Sequence, residues 1–177
     1  MCNYIDLHVH SNASDGTYTP AELVAYAEEK KLYAFALTDH DSIAGLAEAY
    51  AAKDAQQAAV QIIPGVEISC RYDIADISFD IHIVGLNVDY KNTAFRDKLT
   101  ECQQIRKARN QKMIQRMNAC GFPISEQEMK AAYGDAAITR AHYARYLVEH
   151  GYVQTKEEAF LRYLNPGCPC YVPRQLL

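Results

Sequence analysis

The sequence predicts an α/β fold followed by an all-helical stretch. Three observations carry this. Short apolar strands alternate with helical patterns over residues 4–88, Thr-Pro and Pro-Gly punctuation separates them, and from Lys91 onward the strand signal stops. Strand–helix–strand–helix–strand order predicts parallel pairing, with helices packed outside the sheet.

Each element has its own justification. Tyr4–Val9 alternates and is rich in β-formers, so it reads as a strand. Thr19-Pro20 opens a helix: threonine caps it, proline takes the first turn, and Glu22 favours the positive end. That helix reads to Lys31, with Leu23, Tyr26 and Ala27 on one face. Leu32–Leu37 is an apolar run bounded by Thr38-Asp39-His40-Asp41, the pattern of a buried strand ending in a polar loop. Residues 42–58 are alanine-rich and helical, with Gly45 a weak spot. Residues 60–63 are apolar, Pro64-Gly65 breaks the run, and Val66-Glu67-Ile68 resumes it. Residues 81–88 read as a further strand.

The second half changes texture. Residues 92–120 form one long helical pattern, ended by Gly121 and Pro123. Its basic residues, Arg106, Lys107 and Arg109 among them, read as a solvated face. Ser125-Glu126-Gln127-Glu128 is a capping box for a second helix. Residues 139–150 give a third, and Thr155 caps a fourth that ends at Asn165-Pro166-Gly167.

Composition excludes several classes. With 49% hydrophobic and 23% charged residues in a chain of 177, the protein can build a real core. No apolar run approaches the ~20 residues needed to span a bilayer. The opening MCNYIDLHVH lacks the order of a signal peptide, so a cytoplasmic protein that does not engage membranes is expected. Six scattered cysteines, Cys2 among them, fit reduced thiols better than a disulfide framework. Net charge is −4, unevenly spread. Residues 1–90 hold 14 acidic and 4 basic side chains, and residues 91–177 hold 8 and 14. An acidic half suits cations and a basic half suits anions.

The chemistry gathers where strands end. Asp6, His8 and His10 alternate with Leu7 and Val9, so the three polar side chains share a face. Two imidazoles so spaced can grip one metal ion, with Asp6 orienting a histidine from behind. Two surface histidines on an edge would give the same pattern. Asp15 follows in a turn-forming run, His40 closes the second strand between Asp39 and Asp41, and Glu67 follows Pro64-Gly65. His82 lies in the next strand, with Asp80 on its face. In parallel α/β folds, functional residues collect at the carboxyl ends of strands. Three imidazoles with carboxylates favour zinc, manganese or iron over calcium or magnesium.

These residues resemble the polymerase and histidinol phosphatase (PHP) family of metal-dependent phosphoesterases. The carriers are Asp6-Leu7-His8-Val9-His10-Ser11, Ser14-Asp15-Gly16, Thr38-Asp39-His40-Asp41 and Pro64-Gly65-Val66-Glu67-Ile68. Ile138-Thr139-Arg140-Ala141-His142 is similar to the helical insertion of the branch acting on nucleoside 3′,5′-bisphosphates and the 5′ ends of short RNA. The resemblance implies a distorted TIM-like (β/α)7 barrel holding up to three divalent ions. Residues 1–90 would be its first part, 91–165 the insertion, and 166–177 the return toward the barrel. It implies His8, His10 and Glu67 at one metal, Asp15 and His40 at a second, and a third shared by Glu67 and His82. Hydrolysis of phosphomonoesters by a metal-activated water follows. Asp39 or Asp41 would tune His40. Arg140 and His142, at the start of a helix capped by Thr139, would grip a second phosphate or the nucleotide, although a surface ion pair would account for Arg140 equally well.

The family's later His-Pro and terminal Asp-x-His motifs have no counterpart here: no histidine follows His150 and no aspartate follows Asp135. A fragment with incomplete sites is therefore expected, its open edge favouring self-association. The competing readings are a histidinol-phosphate-type phosphatase and a non-catalytic metal- or nucleotide-binding module.

Overall fold

The computed structural model describes residues 4–75 and 77–173; Cys2 and residues 174–177 lie outside them. The chain divides into two compact units, Met1–Gln103 and Gln104–Leu177.

The first unit is built on a four-stranded sheet of β1 (Tyr4–Val9), β2 (Leu32–Leu37), β3 (Gln61–Ile74) and β4 (Ile77–Leu86), in that spatial order. β1–β2 and β2–β3 pair in parallel, as the alternation predicts. β3–β4 pairs antiparallel, so the sheet is mixed. The reason is the connection. Ile74 and Ile77 pair with each other across a tight turn, with Ala75 at φ 50°. A parallel return would need a crossover of roughly a dozen residues. β4 thus begins earlier than the pattern at 81–88 indicates.

β3 also runs straight through Pro64-Gly65, which sequence reading takes as a break. Proline lacks only its N–H, and the Pro64 carbonyl still accepts from the Val88 amide at 3.0 Å. Gly65 lets the neighbouring strand approach: a Cβ there would lie 2.7 Å from Thr38 Cγ2.

Helix α1 (Pro20–Glu29) starts on a full capping box between Thr19 and Glu22. Helix α2 (Gly45–Gln56) starts at Gly45, three residues later than its alanine-rich run implies. Leu23, Val24 and Ala27 of α1 join Leu46 and Ala49 of α2 over Phe35, Leu37 and Ile62, forming this unit's core. Tyr33 is exposed, and Tyr26, also exposed, stacks on Tyr18 with ring centroids 5.5 Å apart.

Helix α3 (Thr93–Ala119) runs from the first unit into the second. The second unit continues with α4 (Glu126–Tyr133), α5 (Arg140–Glu149) and α6 (Lys156–Ala159), the last passing into a π-helical turn over Phe160–Leu164. Its core holds Met113, Met117, Phe122, Tyr143, Leu147 and Leu164. Arg106 and Arg109 are buried, not solvated as expected. They fall on the helical stripe that continues through Met113 and Met117, so their aliphatic stems pack inward. The Arg106 guanidinium donates to the Ile138 carbonyl at 3.3 Å. No helix among the described residues is long and apolar enough to cross a membrane.

Candidate metal centre

The site forms just past the ends of β1 and β2, against the middle of β3 and β4. Thr38 donates its amide to the Val9 carbonyl at 2.8 Å, which carries the β1–β2 pairing forward to His10. An isolated parallel bridge then joins His40 to Glu67. Its hydrogen bonds run from the Asp41 amide to the Glu67 carbonyl (2.9 Å) and from the Glu67 amide to the Asp39 carbonyl (3.2 Å). On β4, His82 sits opposite Ser69, two residues beyond Glu67 and on the same face.

All six predicted ligands come together around Glu67. Its Oε2 lies 3.0 Å from His8 Nε2, 2.9 Å from His10 Nε2 and 3.4 Å from His40 Nδ1. Its Oε1 lies 2.6 Å from His82 Nδ1. Asp15 lies 3.5 Å from His10 Nδ1 and 3.3 Å from His40 Nε2. The imidazoles form a continuous row, with ring centroids 5.0, 4.7 and 5.0 Å apart from His8 through His10 and His40 to His82. The ends of the row are the more accessible, with the His8 and His82 side chains at 50% and 30% against 19% for His10 and 11% for His40, and Glu67 beneath them is 7% accessible.

Charge explains why this arrangement calls for cations. Burial alone would raise the Glu67 carboxyl, yet the His8 hydrogen bond, the charge of His40 and the contact with His82 outweigh it and hold it below the ordinary range. His10 is pushed down, chiefly by burial and then by His40, so it favours the neutral, ligating form. Among the described residues, His40 Nδ1 is buried and makes no hydrogen bond, with Glu67 Oε2 3.4 Å away. A buried polar nitrogen is costly unless something satisfies it. Three donor groups, each with ligand atoms within 4.8 Å of one another, fit divalent ions: His8–His10–Glu67, His10–Asp15–His40 and His40–Glu67–His82.

The aspartates predicted to act from behind have distinct partners. Asp6 Oδ1 accepts from the His8 amide at 3.1 Å. Asp41 Oδ1 accepts from the Ser69 amide at 2.8 Å, tying the His40 loop to β3. Asp39 reaches away from His40. Its Oδ1 accepts from the Ser11 amide (2.8 Å) and Ser14 Oγ (2.6 Å), and its Oδ2 from Ser11 Oγ (2.6 Å). Burial pushes this carboxyl up, while its serine donors oppose the shift. Sequence reasoning assigns no role to Ser11 or Ser14; both are fully buried. In sequence both stand within the motifs that carry the family resemblance, in the turn after His10. Gly16 closes that turn: a Cβ would lie 2.1 Å from the His10 carbonyl oxygen, so no side chain fits.

Arg140 and His142 belong to the second unit. Arg140 lies over the Tyr171 ring, 5.6 Å from its centroid. His142 is buried, and its Nδ1 accepts from the Thr139 amide at 3.0 Å, completing the capping box of α5.

Comparison with known proteins places the chain in a family. The family model described as PHP domain matches residues 6–156. The 5′-3′ exoribonuclease Rnm of Salmonella typhimurium is 40% identical over 171 residues, covering 96% of this chain and 57% of that protein. The 3′,5′-nucleoside bisphosphate phosphatase of Chromobacterium violaceum is 37% identical, covering 97% and 58%. Among solved structures, a candidate metal-dependent phosphoesterase from Bifidobacterium adolescentis superposes with a TM-score of 0.85 at 28% identity, over 99% of this chain and 60% of that one. An amidohydrolase from Chromobacterium violaceum, solved with sulfate and no metal, gives 0.85 at 35% identity over 97% and 58%. The chain thus spans 57–60% of the length of these relatives.

Proposed function

The chain belongs to the PHP domain family, and on that premise we propose that it carries the metal-binding part of a metal-dependent phosphoric monoester hydrolase. The substrate class we propose is the 5′-phosphate of nucleotides such as nucleoside 3′,5′-bisphosphates, or the 5′ end of short RNA. The single observation behind the hydrolase reading is Glu67 held within 2.6–3.4 Å of four imidazoles, one with an orphaned buried nitrogen. The substrate class draws on the names of the Salmonella and Chromobacterium relatives.

In this reading His8, His10 and Glu67 hold one ion, Asp15 and His40 a second, and Glu67 with His82 a third. Manganese, zinc and iron all suit such a donor set. Divalent ions held there would neutralise phosphate charge and activate a water. The protein's own part is orientation. The strand-end hydrogen bonds fix the imidazole row, buried Glu67 keeps its charge, and the Ser11–Gly16 turn closes the back of the site. Arg140 would bind a second phosphate near the N-terminus of α5, with His142 holding the first turn behind it. The four strands would be the opening part of the distorted (β/α)7 barrel.

Phosphate release from adenosine 3′,5′-bisphosphate with manganese tests this. It should be measured on this chain and on a version extended to its relatives' length. Turnover by the extended version, with or without turnover by this chain, upholds the hydrolase. Metal binding without turnover by either would replace it with a binding module.

A further inference from the structure

The second unit holds Cys120, Cys168 and Cys170, none of which belongs to the metal centre. Cys120 follows the last residue of α3, and its amide donates to the Arg116 carbonyl at 3.0 Å, so the helical bonding carries through to it. Residues four apart on a helix share a face, which puts Cys120 on the face that carries Arg116. The Arg116 guanidinium donates to the Tyr171 carbonyl, which lays the chain at Cys170 along that face. Cys170 is fixed from its other side as well. Its amide donates to the Tyr163 carbonyl at 3.0 Å, and its side chain is fully buried in the core with Met117 and Phe122.

The two thiols have opposite environments. Cys120 is exposed and Cys170 is buried. Burial first, and then the Cys120 thiol beside it, push the Cys170 thiol up to about 12, with the Arg116 charge opposing. Cys170 therefore keeps its proton and is shielded from dissolved oxidants, whereas Cys120 is where an oxidant arrives. Cys168 is turned elsewhere: its thiol donates to the Leu161 carbonyl at 3.2 Å. Only Pro169 separates it from Cys170, and a bridge across so small a ring needs distorted geometry.

We propose that Cys120 and Cys170 form an oxidation site, in which a low-molecular-weight disulfide such as oxidised glutathione reacts at Cys120 and Cys170 closes an intrachain disulfide. The Cys120 thiolate attacks one glutathione sulfur, the glutathione S–S bond breaks, and a glutathione thiolate leaves. Cys170 then attacks the Cys120 sulfur of the mixed disulfide, and the second glutathione departs with the proton that Cys170 gives up. Two cysteine thiols are oxidised and one glutathione disulfide is reduced to two thiols. Little Cys170 is ionised at any moment, but its place beside Cys120 makes the second step intramolecular. The resting chain stays reduced, as its cysteine pattern implies. Once closed, the bridge ties the end of α3 to the segment whose Tyr171 ring lies under Arg140.

The test incubates the reduced, folded chain in chelator with oxidised glutathione, caps the remaining thiols, and maps its peptides by mass without reduction. A single bridge between Cys120 and Cys170 within one chain is expected, with Cys70 and Cys102 capped. Cys168→Ser should still form it, and Cys120→Ser should not. Cys170→Ala should stop at the mixed disulfide on Cys120; if that variant does not fold, the Cys120 and Cys168 variants carry the assignment. The bridged chain should unfold roughly 4 °C or more above the reduced one, because the bond restricts the unfolded chain. Glutathione left on Cys120 of the wild type, a bridge to Cys168, linkage only between two chains, or a bridge that lowers the unfolding temperature would overturn the proposal. None of these readouts depends on metal or turnover, so the hydrolase reading and this one fail separately.

Discussion

Glu67 Oε2 lies 2.9 Å from His10 Nε2, although β2 stands between the strands that carry them. The two side chains meet because the chain continues past the end of β2 and bridges to β3 at His40. The carboxylate becomes the common neighbour of four histidines, and the first prediction concerns its removal.

Glu67→Gln keeps the size of the side chain and removes its charge. Two of the three donor groups contain Glu67. Manganese or zinc affinity should fall by more than about 100-fold, since loss of an outer partner alone costs about 10–100-fold. Isothermal titration of the purified chain measures this. Unchanged stoichiometry and affinity would remove Glu67 from the ligand set.

Acid should destabilise the metal-free chain through His10. Its folded value lies below the ordinary 6.5, so between the two values the unfolded chain binds more protons. The neutral-site contribution is intact above pH 6.5 and is lost as pH falls through the folded value. Glu67, also lowered in the fold, adds a second loss below 4.5. Urea midpoints of wild type and His10→Asn in chelator isolate the first component. The wild type should lose more stability than the variant between pH 7 and 5.5; parallel curves would contradict the assignment.

The core of the first unit should be sensitive along β2 by depth: Tyr33 and Phe35 share a face of the strand, but burial is complete only from Ala34 onward. Phe35 is 1% exposed and Tyr33 is 57% exposed. Phe35→Ala should cost about 3–5 kcal/mol, while Tyr33→Ala stays within about 1 kcal/mol. Denaturant unfolding of each variant checks the contrast. Equal losses would show that Tyr33 is packed in solution.

Arg140 should matter for a second phosphate. Arg140→Ala in the extended protein is expected to raise KM for a 3′,5′-bisphosphate about tenfold, the scale of one charge-assisted hydrogen bond, and to change KM for a 5′-monophosphate little. Steady-state kinetics with both substrates decides. Equal effects on both would confine Arg140 to packing against Tyr171.

Much of this was legible from sequence because local rules govern it. The alternation of Asp6, His8 and His10 follows from the two-residue strand period, and Thr19, Ser125, Thr139 and Thr155 cap helices wherever they stand. The six donor residues were recognisable by type, and His10 and His40 by their place just past strand ends, whereas Glu67 and His82 lie within β3 and β4. Tertiary structure decided what no local rule contains. It turned β4 back against β3, because a tight turn leaves no room for a crossover. It buried Arg106 and Arg109 on an apolar stripe that a count of charges reads as solvent-facing. It also sent Asp39 to Ser11 and Ser14, since side-chain direction past a strand end depends on what the neighbouring segment places within hydrogen-bond reach. Residue type thus determined which groups could bind a cation, and the pairing of strands decided which of those groups came within reach of one another.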